Sequence, residues 1–97
     1  MAKIVIIDDE ASILQLMTKL CEGMGHETHS CQTGAEGMKA IEEIRPEVLI
    51  VDTRVARLYP LEIFHLFGFR KVRQVGSDLL VSRRRYDLAP PQKMVLP

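Results

Sequence analysis

Ile4-Val5-Ile6-Ile7-Asp8-Asp9-Glu10, near the start of the chain, and Val48-Leu49-Ile50-Val51-Asp52, at its middle, are two apolar runs that each end in acid. Aliphatic runs of this length without polar alternation predict strands buried on both faces, as in a parallel sheet covered by helices. Between them the period changes. Ile13, Leu14, Met17, Leu20 and Cys21 share a helical face, Ser12 is placed to cap that helix, and Gly23 and Gly25 stop it. A short strand is expected over residues 28–31. A second helix runs from Thr33 through Met38, Ile41 and Ile44, and Pro46 ends it. The order β-α-β-α-β predicts a parallel sheet with right-handed crossovers.

In an open parallel sheet, ligands sit beyond the carboxyl ends of the strands, where the strand order reverses. Asp8, Asp9 and Asp52 stand at two such ends, so adjacent strands would bring three carboxylates to one spot. A lone acid after a strand says only that the loop is wet. Three close like charges repel and call for a cation. Oxygen donors at this place suit Mg²⁺, which takes few carboxylates and keeps positions for water and phosphate oxygens. A carboxylate beside that ion can attack phosphorus and form an acyl phosphate.

Ninety-seven residues, 46% of them hydrophobic, suit one small domain with a single core. No apolar run approaches the ~20 residues of a membrane span, and the charged start MAKIVIIDDE does not read as an export signal. A cytoplasmic protein is expected, with Cys21 and Cys31 as reduced core thiols. His26, His29 and Cys31 lack a fourth ligand and do not make a metal site. The methionines at 17, 24 and 38 read as core filling. Net charge is zero, yet residues 1–53 hold ten acids against four bases, and residues 54–97 three acids against nine bases.

The motifs Ile-Ile-Asp8-Asp9-Glu10 and Val-Leu-Ile-Val-Asp52 resemble those of the response-regulator receiver domain of two-component signalling, and the match covers residues 3–53. The resemblance implies a flavodoxin-like, doubly wound α/β fold. It also implies that Asp52 takes a phosphoryl group from a histidine kinase or phosphotransfer protein. Asp9 would be a direct Mg²⁺ ligand, Asp8 would act largely through water, and the backbone carbonyl of Arg54 would complete the protein ligands. Such a domain is a phosphoacceptor in signal transduction and not an enzyme in its own right.

Beyond Thr53 the resemblance thins. The family's Met-Pro turn and Asp-Gly-Leu-Glu helix start are replaced by Arg54-Val55-Ala56-Arg57-Leu58-Tyr59-Pro60-Leu61-Glu62, although Leu61-Glu62 keep the family's distance from Asp52. Pro60 fits a helix start, and Leu61, Phe64 and Phe67 would share a face. Leu79-Leu80-Val81 is a candidate fourth strand. Ser82, 30 residues after Asp52, stands at the spacing of the family's switch hydroxyl. The family's lysine has no counterpart, since only 15 residues follow Ser82 and Lys93 precedes an apolar run instead of closing one.

Residues 1–97 are therefore read as one receiver-like domain: 1–53 well matched, 54–82 divergent, 83–97 an atypical basic and proline-rich tail. The sheet is expected to be incomplete at its C-terminal end, with about four strands and three helices. Residues 54–97 fit either a native divergent receiver or an altered reading of the chain. A homodimer through the open sheet edge is expected, with Phe64, Phe67 and Phe69 offering apolar surface. Arg83-Arg84-Arg85 reads as solvated surface, so nucleic-acid binding is not expected. The rival function is a phosphorylation-impaired, receiver-like scaffold acting as a protein, or nucleic-acid, interaction module.

Overall fold

The computed structural model describes residues 1–56, 69–75 and 79–84. Strands β1 (Lys3–Ile7), β2 (Glu27–Cys31) and β3 (Val48–Asp52) alternate with helices α1 (Ala11–Gly23) and α2 (Gly34–Ile44). A four-residue helix α3 (Thr53–Ala56) follows, and then strands β4 (Phe69–Val75) and β5 (Leu79–Arg84). The sheet order is β2-β1-β3-β5-β4. β1 pairs in parallel with β2 on one side and β3 on the other.

The uninterrupted apolar runs are explained by the two faces of this sheet. Val5, Ile7, Leu49 and Val51 point to the side of α2, where they meet Met38, Ala40, Ile41 and Phe69. Ile4, Ile6 and Ile50 point to the other side and meet Leu14 and Cys21 of α1. With helices on both faces, neither side of β1 or β3 can tolerate a polar residue, so the period-two signal vanishes. Cys21 and Cys31 are free, buried thiols in opposite layers, where no disulfide can join them.

Helix ends show where local rules suffice. Thr33 caps α2, its hydroxyl accepting the Glu36 N–H at 3.1 Å, while the Glu36 carboxylate reaches back to the Gln32 N–H at 3.3 Å. α2 closes on Arg45, a non-glycine residue in the left-handed region at φ 55°, and Pro46 then prevents continuation. The cap expected at Ser12 is not formed. Glu10 occupies the N-cap of α1 without a side-chain cap hydrogen bond, which puts Ser12 inside the first turn. Leu20 and Met24, expected in the core, are 58% and 68% exposed, because both turn away from the Leu14–Cys21 line.

The α/β class and the strand-helix alternation through residue 52 follow the sequence pattern. The end of the sheet does not. Leu79–Arg84 is a strand beside β3, as expected for residues 79–81, but it runs antiparallel to β3 and pairs with β4, giving five strands. Only residues 76–78 separate β4 from β5, whereas a parallel return needs a crossover of about a dozen residues or more. Phe69 is wholly buried in the α2-side layer and is not free apolar surface. The helix expected from Pro60, with Phe64 and Phe67, lies outside the described residues, as does the tail from residue 85.

Candidate metal and phosphoacceptor site

Ile7 and Val51 are register partners on adjacent parallel strands, so the next residue of each, Asp8 and Asp52, emerges side by side at the carboxyl edge. Asp9 follows where β1 leaves the sheet. One carboxylate oxygen from each of Asp8, Asp9 and Asp52 lies within 4.8 Å of the other two. The cluster is graded in depth: Asp52 is 2% and Asp8 4% exposed, while the Asp9 side chain is half exposed. Asp8 is tied down twice, its N–H donating to the Cys31 carbonyl at 3.0 Å and its Oδ1 accepting the Glu10 N–H at 2.9 Å.

Arg54 organises the rest. Its backbone N–H donates to Asp52 Oδ1 at 3.2 Å, and its Nε to Asp52 Oδ2 at 3.1 Å. Its Nη2 lies 3.0 Å from Asp52 Oδ2, Asp9 Oδ1 and Glu10 Oε1 alike. One guanidinium thus joins three carboxylates from two strand ends. The sequence pattern points to Arg54 only through its backbone carbonyl, whereas in the fold its side chain makes the contacts. The available signal was a long cation two positions after the strand-end acid.

The charges separate the two buried acids. Burial pushes the Asp52 carboxyl up, the largest single influence, but the Arg54 backbone N–H, guanidinium hydrogen bond and positive charge together outweigh it. Asp52 therefore ionises below the ordinary aspartate range. Asp8 moves the other way. Its burial, reinforced by the charges of Asp52, Asp9 and Glu10, outweighs the Glu10 N–H and raises its pKa. The Arg54 guanidinium is held above its ordinary value, chiefly by hydrogen bonds to Asp52 and Glu10.

Two oxygen-bearing groups stand elsewhere. Ser82 is opposite Leu49, three residues short of Asp52, or about 10 Å along the strand. The antiparallel direction of β5 puts Leu79, not Ser82, beside Asp52. The Ser82 hydroxyl is buried and has no hydrogen-bond partner among the described residues. Arg83 faces Val48 at the far end of β3. Lys93 lies outside the described residues. The donor set of Asp8, Asp9 and Asp52 fits a hard divalent cation such as Mg²⁺: all three offer carboxylate oxygen, they converge, and their mutual repulsion demands positive charge.

No family model matches the chain. Curated proteins do. It is 30% identical over 61 residues to the alkaline phosphatase synthesis transcriptional regulatory protein PhoP of Bacillus subtilis, covering 63% of this chain and 25% of PhoP. It is 25% identical over 61 residues to the DNA-binding response regulator MtrA of Mycobacterium tuberculosis, covering 63% of this chain and 27% of MtrA. Against protein PilH of Pseudomonas aeruginosa it is 27% identical over 78 residues, covering 80% of this chain and 58% of PilH. The matched part is thus about a quarter of PhoP and MtrA. These homologues are response regulators, matched at low identity over 63–80% of the chain, and together with the sheet and the strand-end acids they support a receiver-type domain.

Proposed function

We propose that this chain is a phosphoacceptor of a cytoplasmic two-component pathway, taking a phosphoryl group from a histidine kinase or phosphotransfer protein onto Asp52. The observation that carries the reading is the convergence of Asp8, Asp9 and Asp52 at the carboxyl ends of adjacent parallel strands. Asp9 and Asp52 would hold Mg²⁺ directly, Asp8 through water, with the Arg54 carbonyl as the remaining protein ligand. When bound, the ion neutralises charge on the phosphoryl oxygens. Asp52 is suited to be the nucleophile because its depressed pKa keeps it ionised. Its carboxylate oxygen attacks phosphorus, the phosphorus–nitrogen bond of the donor phosphohistidine breaks, and the imidazole leaves with the electron pair. The product is an aspartyl phosphate.

The test is labelling of the full chain with acetyl phosphate or a cognate-type kinase in Mg²⁺. Label on the wild type and none on Asp52→Asn supports the reading; no label on a folded, Mg²⁺-bound wild type sinks it. Labelling is expected to be slow. Among the described residues no lysine pairs with Asp9 or Asp52, and one such electrostatic donor is worth roughly 10²–10³ in rate. Ser82 pairs opposite Leu49 and not beside Asp52, which does not support a role for it as the switch hydroxyl. That placement favours the second reading, in which the fold persists as an interaction scaffold and phosphorylation produces no switch. Self-association through an outer strand of the sheet belongs to the same proposal, and light scattering on the eluting protein would test it. No helix among the described residues is long and apolar enough to cross a membrane.

A further inference from the structure

We infer that the Arg54 guanidinium is a resident counter-cation of the acidic pocket, one that a divalent ion must displace before it can bind. The inference rests on the metal-site reading above and goes beyond it, because it concerns what holds the pocket together when no ion is bound.

Three geometric facts carry it. First, Nη2 sits at 3.0 Å from oxygens of Asp9, Glu10 and Asp52, the position from which a single positive charge reaches all three. Second, two of those oxygens belong to the carboxylates that would ligate the ion. Mg²⁺ needs them at about 2.0–2.1 Å with near-octahedral directions. An oxygen cannot offer that geometry while the same lone-pair region accepts a charged N–H. Third, the guanidinium can leave without moving the backbone. Its side chain is 54% exposed, while the residue stays anchored by its own N–H on Asp52 Oδ1. Displacement is therefore a side-chain rotation towards solvent, and the main chain that positions Asp52 remains where it is.

The competing cation has a quantitative consequence. If the guanidinium fills the pocket for most of the time, the apparent metal affinity is the intrinsic one reduced by the open fraction. Removing it should tighten binding, although the same substitution deprives the metal-free pocket of its only nearby positive charge among the described residues. Affinity for the ion and stability without it should thus move in opposite directions. An arginine that is merely structural would lower both.

The test is Mg²⁺ titration of the full chain, followed by amide chemical shifts, with Mn²⁺ relaxation enhancement as a second probe. Wild type, Arg54→Met and Arg54→Lys are compared; all three keep the backbone carbonyl at position 54. Arg54→Met is expected to bind Mg²⁺ on the order of tenfold more tightly, the figure for a competitor present nine times in ten. It should also melt at lower temperature without metal and recover with Mg²⁺. Arg54→Lys, shorter and without the planar fork, should fall between them and serves if the Met variant does not fold. Equal or weaker affinity in both variants overturns the inference while leaving the metal site standing. Saturable binding in none of the three proteins overturns the metal-site reading, and the inference with it.

Discussion

Gly37→Ala tests how closely helix packing controls the acidic pocket. Gly37 is buried on the face of α2 that meets β1, and a Cβ built there would lie 2.6 Å from Ile7 Cγ1 and closer still to Ile7 Cδ1. Rotation about χ2 could carry Cδ1 away, but Cγ1 is held by χ1, which is stiff in a β-branched residue. Ile7 is 1% exposed, so it has no open space to enter. Overpacking of this kind costs about 1–3 kcal/mol. Alanine in a helix interior returns about 0.5–1 kcal/mol, leaving a net loss centred near 1 kcal/mol. For a domain of this size that lowers Tm by roughly 4–8 °C. Ile7 is the residue before Asp8, so its displacement should also weaken Mg²⁺ binding. The assay is thermal melting by circular dichroism for Gly37→Ala, Ile7→Ala and the double variant. Ile7→Ala deletes Cγ1 together with Cδ1, so the Gly37→Ala penalty should shrink in that background by at least ~0.5 kcal/mol. An increase in Tm for Gly37→Ala alone, or strict additivity in the cycle, would refute the packing argument.

Other outcomes follow from the site and the core. Asp8→Asn should raise the Tm of the metal-free protein at pH 7, because burial and its acidic neighbours make the charged form unfavourable. The folded pKa of Asp8 lies above its unfolded value of 3.8, so wild type regains this stability as pH falls through the folded pKa, and the advantage of Asn fades towards pH 3.8. Asp52→Asn should do the reverse: the depressed pKa contributes stability above pH 3.8 that is lost as pH falls through the folded value, so the variant's deficit is greatest at neutral pH. Asp9→Ala should abolish the low-millimolar Mg²⁺ binding expected of wild type, as read by the same titration. Cys21 and Cys31, both buried with thiol pKa values raised by that burial, should react slowly with a disulfide reagent until the protein is unfolded.

The β-α-β-α-β half of the molecule and the convergence of Asp8, Asp9 and Asp52 were legible in the order of the amino acids. Those features depend on local signals: continuous aliphatic runs, helical spacing from Leu14 to Cys21 and from Met38 to Ile44, the Thr33 cap and the Pro46 stop. Once two such strands are parallel neighbours, their carboxyl ends must coincide, so the acidic cluster follows from the pattern. Tertiary structure alone decided the remainder. The direction of Leu79–Arg84 depends on which strand it pairs with, and periodicity within a strand is identical for parallel and antiparallel neighbours. That reversal moved Ser82 from the expected switch position to a buried place beside Leu49. Phe69 was equally ambiguous as a surface or core residue until β4 laid it into the α2-side layer. The role of Arg54 was hidden for a different reason. Its guanidinium spans carboxylates 44 and 45 positions away in sequence, and a side chain of that reach chooses its partners only after the fold has brought their charges together.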